Sequence, residues 1–123
     1  LCNSFKQELL QGLHDLDGHT LKMALFTSSA TLGATTTAYS TTNESSGTGY
    51  TAGGATLANV AVSLSGTTAF VDFDNVSFTS ATISDAAGAL IYNSSASDKA
   101  IAVVDFGSTK SVSSGTRDSS GDI

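Results

Sequence analysis

With 123 residues, a formal charge of −6 and 13% charged side chains, the chain has the length of one domain and is acidic without being highly charged. Lys6, Lys22, Lys99, Lys110 and Arg117 are scattered and do not form the basic cluster that phosphate neutralisation needs, so nucleic acid is not an expected partner. No apolar run approaches the roughly 18–20 residues of a membrane-spanning helix, so a membrane is not expected either. Lys6 and Glu8 interrupt the apolar residues at the start where a signal peptide would need its apolar core, and synthesis in a cytoplasm is the expectation. The apolar residues are mostly small, and Ser, Thr, Gly and Val are abundant, a composition that suits strands with polar outer faces. Cys2 is the single cysteine, which excludes an intrachain disulfide and leaves a buried thiol as the expectation.

The first predicted element is a helix over residues 3–16. Phe5, Leu9, Leu13 and Leu16, with Leu10 beside them, form one apolar stripe, and Ser4 with Gln7 has the spacing of a capping box. Gly12 weakens the middle of this helix and Gly18 is its expected stop. Because a short helix is marginal in water, the stripe is expected to lie on the chain's own sheet.

Residues 20–27 (TLKMALFT) alternate as a strand, with Leu21, Met23 and Leu25 on one face and Lys22, Ala24 and Phe26 on the other. The polar, Gly-rich stretch 28–54 follows, and its length predicts an extended surface loop or arm that gains order from a partner. Residues 55–109 then read as a β-core. Ala55 to Leu64 forms a strand with an irregularity near Asn59; Ser65-Gly66-Thr67 turns the chain; residues 68–73 return; and residues 76–83 form another strand after an Asp74-Asn75 turn. The clearest hairpin is GALIY (88–92) with KAIAVVDF (99–106), whose nearly continuous apolar content predicts central strands, with Ile91 and Val103 buried. Residues 110–123 read as a polar tail. The fold class is therefore mainly β: an antiparallel β-sandwich or barrel-like single domain, with one short N-terminal α-helix and a long loop. With no Pro to blunt them, its sheet edges must be covered, charged or paired with neighbours.

Candidate chemistry is sparse. His14, Asp15, Asp17 and His19 form the one cluster of potential metal ligands, but two His five apart miss the helical spacing of four, and Asp-Leu-Asp-Gly lacks the remaining oxygens of a calcium loop. A solvated turn between helix and strand is the expectation. Asp72 and Asp74 read as exposed strand-end acids, because acid–base work needs a cleft and a partner to shift one of them. No Gly-x-Ser-x-Gly elbow occurs, and Gly47-Thr48-Gly49 and Gly53-Gly54 lack the Lys-Thr that completes a phosphate loop. The reading is a non-enzyme with no catalytic, cofactor-binding or metal-binding residues and no cofactor.

Three stretches carry a resemblance: CNSFKQELLQG, KMALFTSSATLGATTTAYSTTNESSGTGYTAGG and GALIYNSSASDKAIAVVDFGS. Together they resemble a group of small virion proteins of tailed bacteriophages, described as structural, head-decoration (cement) or tail-associated, over about residues 2–113. One departure stands out. Such proteins are expected to form a final apolar strand after Gly115, where this chain has the polar TRDSSGDI. The resemblance implies a virion protein that decorates the assembled capsid, with the major capsid protein or other virion proteins as partners. It also suits a homo-oligomer, with a trimer favoured. A tail or fibre component is the alternative. A carbohydrate-binding β-module on the virion surface, using the rings of Tyr39, Tyr50 and Tyr92, is the alternative of another class.

Overall fold

The chain is mainly β, with 47% of residues in strands and 7% in helix, and its sheets are antiparallel and open. This computed structural model describes residues 1–118, with side chains to residue 112. In chain order the elements are α1 (Asn3–Leu10), β1 (Leu21–Phe26), β2 (Gly47–Thr48), β3 (Ala55–Thr56), β4 (Ala61–Ser65), β5 (Thr68–Asp72), β6 (Ser77–Asn93) and β7 (Lys99–Asp118).

The long β6–β7 hairpin is the backbone of the main sheet. On one side of β6 lies β7; on the other, β1 pairs with residues 88–93 and β2 with Thr82 and Ile83, while β3 adds to the far edge of β1. Strand alternation sends Leu21, Met23 and Leu25 to one face and Ala24 and Phe26 to the other, and all five are buried. Across β6 the pattern repeats, with Ala89 and Asn93 on the first face and Leu90 and Tyr92 on the second. The expected central strands are therefore covered on both sides. Tyr39 stacks on Tyr92 over one face, and the imidazoles of His14 and His19 reach Asn93 on the other.

The helix is shorter than the 3–16 expected, and Gly12 is the reason. At φ +75° it ends α1 in a Schellman arrangement: Gly12 N–H donates to the Leu9 carbonyl and Leu13 N–H to the Glu8 carbonyl. No capping box forms at Ser4. Cys2 occupies the N-cap position without a side-chain bond to the helix, and its own N–H donates to the Ile101 carbonyl of β7. Truncation breaks the apolar stripe. Phe5 is buried, but Leu9 and Leu13 are 43% and 42% exposed and Leu10 is 92% exposed, so most of the stripe does not lie on the chain's own sheet.

Three other boundaries differ. Residues 28–54 are not a free arm: they bridge Phe26 to Glu44 and Ala38 to Lys99, and contribute β2. The β-core expected over 55–109 excludes β4 and β5, which form a separate two-stranded sheet, whereas β1 belongs inside it. Residues 110–118 of the expected polar tail continue β7, with the register stepping between Asp105 and Lys110 through a bulge; residues 119–123 lie outside the described residues. Ile91 and Val103 are half-buried against the core, while their neighbours Leu90 and Ile101 are buried. The irregularity expected near Asn59 is present: φ is +53° there, between β3 and β4.

Candidate assembly surface

Two polar clusters hold the long loop and the N-terminal segment onto the sheet, and they account for most of the chemistry-bearing residues. In the first, the Glu44 carboxylate accepts from the Tyr39 hydroxyl at 2.6 Å, the Tyr50 hydroxyl at 2.5 Å and the Gly53 N–H at 2.8 Å. The Tyr50 oxygen accepts in turn from Leu25 N–H of β1, and the Tyr92 hydroxyl donates to the Gly53 carbonyl at 2.6 Å. Burial pushes all three phenols up, reinforced at Tyr39 and Tyr50 by their bonds to Glu44; Tyr92, near Asp98 and Glu44, is raised to about 12. Close approach of backbone to backbone completes this anchor. Gly54 sits at φ +82° where a Cβ would stand 1.9 Å from the Met23 carbonyl oxygen, so the loop can lie on β1 only with glycine there.

The second cluster corrects part of the expectation of a solvated turn at residues 14–19: Asp15, Asp17 and Gly18 are exposed, but His14 and His19 turn inward. The His14 side chain is fully buried, and its Nε2 lies 3.0 Å from Glu8 Oε1 of α1. Its Nδ1 and that of His19 each lie 3.0 Å from Asn93 Nδ2, so one buried amide donates a hydrogen to each imidazole while its oxygen accepts from Ser95 N–H. The structure thus brings the two histidines together around an amide group and not around an open coordination position. Among the described residues no group of three or more His, Cys, Asp or Glu is placed to hold a metal ion. Cys2 is buried, and burial pushes its thiol up, away from the nucleophilic thiolate. Asp72 and Asp74 are exposed; Asp74 accepts from the Asn59 side chain at 2.6 Å and Asp72 from Phe73 N–H.

What the structure leaves open is apolar. All residues from Ala61 to Asp72, the ribbon of β4 and β5, are exposed. The register Val62↔Val71 and Leu64↔Ala69 puts these four side chains on one face, and Ala61, Ser63, Ser65, Thr68, Phe70 and Asp72 on the other. Leu64 is 71% exposed and Val62 49%, on a strand pair that carries no charge before Asp72. The base of this ribbon is fixed by the Asn59–Asp74 bond and by Asp74 N–H donating to the Ala58 carbonyl. Leu9, Leu10 and Leu13 make a second apolar patch at the end of α1. The alternation of residues 55–73 signalled strands but not that one pair would stand clear of the core; the turn glycines and the Asn59 break were the available cues. No helix among the described residues is long and apolar enough to cross a membrane.

Comparison of the chain with protein-family models, with curated proteins and with solved structures finds no match.

Proposed function

We propose that this chain is a structural, non-catalytic module of a tailed-phage particle, a capsid decoration (cement) protein that binds the assembled shell. The observation that carries the reading is the uncovered apolar ribbon of β4 and β5. Two strands alone are at best marginal in water, and a contiguous apolar face of this kind marks a surface that assembly covers. The rest of the chain suits a rigid block, because Glu44 and Asn93 tie loop and N-terminal segment to the sheet with their polar groups satisfied inside the fold. The resemblance of residues 2–113 to small virion proteins supplies the setting. Weak contacts to several capsid subunits become strong when one oligomer engages them together.

The tail or fibre reading shares the same ribbon and differs in copy number. The carbohydrate-binding alternative gains no support: Tyr39 and Tyr92 stack on each other with ring centres 4.6 Å apart, and Tyr50 tilts against Phe78. Quantitative mass spectrometry of sedimented particles tests the proposal. Hundreds of copies per particle are expected; a handful would move the protein to the tail, and none would remove it from the virion.

A further inference from the structure

The two apolar patches are unlike in shape, and each lacks what the other offers. A two-stranded ribbon gains independent stability when a helix packs on its face. A helix with an apolar stripe needs a surface to lie on. Within one chain α1 packs on β7, β4 and β5 pack on each other, and no substantial contact joins helix to ribbon. Charge agrees with their pairing. Exposed Lys6 lies three and four residues before Leu9 and Leu10 in α1, while the charges nearest the ribbon are acidic: exposed Asp74 at its base and Asp72 at the end of β5, on the face opposite Val62 and Leu64. Chains of net charge −6 repel one another, and residues 61–71 carry no charge, so like copies can approach at the ribbon at low electrostatic cost.

We infer that the leucine patch of α1 (Leu9, Leu10, Leu13) docks on the Val62, Leu64, Ala69 and Val71 face of the ribbon in a second copy of this chain. The contact is head-to-tail: each copy gives a helix to one neighbour and receives a helix from the other. Such a contact closes into a ring when its rotation allows, and otherwise continues as a filament. The inference rests on reading the ribbon as an assembly surface and not on the virion assignment.

Sedimentation of the full chain tests it. The unmodified protein is expected to form an oligomer, and Leu10→Glu and Leu64→Glu are each expected to weaken association about tenfold or more, because a charge would be buried in the contact. Both side chains are mostly exposed, so circular dichroism should show both variants folded; Leu13→Gln and Val62→Thr supply the same test if either fails to fold. The decisive arm is a mixture. The Leu10→Glu chain keeps a sound ribbon and the Leu64→Glu chain a sound helix, so together they should form a one-to-one complex that grows no further. A monomeric unmodified chain, a mixture that stays monomeric, or either variant still assembling alone would overturn the pairing. A chain that is monomeric in solution yet binds purified shells would end this inference and leave the proposed function standing.

Discussion

Two hairpins made by the same local rules have opposite fates in this molecule. The paired ends of β6 and β7, Gly88 to Asn93 against Lys99 to Asp105, hold Leu90, Tyr92, Asn93, Ala100 and Ile101 out of water. The β4–β5 ribbon, also antiparallel and also joined by a short turn, buries none of its residues. Composition separates them less than neighbours do. Beside β6 lies β1, which has buried apolar residues on both faces, and above it the tyrosines and histidines of two irregular segments; among the described residues no further strand pairs with the ribbon. A hairpin becomes core when other parts of the chain are tied onto it, and here the ties are Glu44 on one face and Asn93 on the other.

The contrast breaks most severely at Leu90. Leu90→Asp would place an unpaired carboxylate among fully buried side chains, and the folded state should be lost, seen as absent cooperative melting by circular dichroism. Removal of the loop's tie should cost less. Glu44→Ala leaves two tyrosine hydroxyls and one N–H without their acceptor, and a loss of about 1–3 kcal/mol is expected in urea denaturation. A full-stability variant would mean that the loop holds itself without the carboxylate.

Alkali acts on the same tie. Burial holds Tyr92 protonated up to about 12, above the usual phenol value of about 10. Between those values the unfolded chain has released its proton and the folded chain has not, so stability is intact below about pH 10 and falls as pH rises toward 12. Tyr39 and Tyr50, raised in the same direction, steepen the fall. Tyr92→Phe should flatten it, as read from melting temperatures across that range; an unchanged slope would remove Tyr92 from the account. At the other extreme lies the ribbon. Leu64→Ser should change the stability of the isolated chain by no more than about 0.5 kcal/mol, because its side chain is already in water.

Both hairpins are legible in the sequence, but their different fates are not. Alternation points to β1 and to the β4–β5 pair, and the nearly continuous apolar content of residues 88–92 and 99–106 points to the centre of the sheet. What the sequence hides lies outside regular periods or far apart along the chain. Nothing in residues 28–54 announces that Glu44 will gather Tyr39, Tyr50 and Gly53, because the partners lie between five and nine residues away in an irregular path. His14 and His19 meet Asn93 across 79 and 74 residues, a pairing no local pattern encodes. The leucine spacing predicts a longer helix than forms, because Gly12 in its left-handed conformation decides the end of α1. That difference bears on the proposed function: the leucines expected to face the sheet are exposed, as are Val62 and Leu64 of the ribbon.

Amide hydrogen exchange resolved along the chain tests the division directly, measured on dilute protein and again on the assembled form. In dilute protein the amides of β1 and residues 88–93 should be strongly protected while those of Ala61–Ser65 and Thr68–Asp72 exchange nearly as fast as unstructured chain, and assembly should protect the ribbon selectively. Ribbon amides as slow in the dilute chain as those of β6, or unchanged by assembly, would contradict the account.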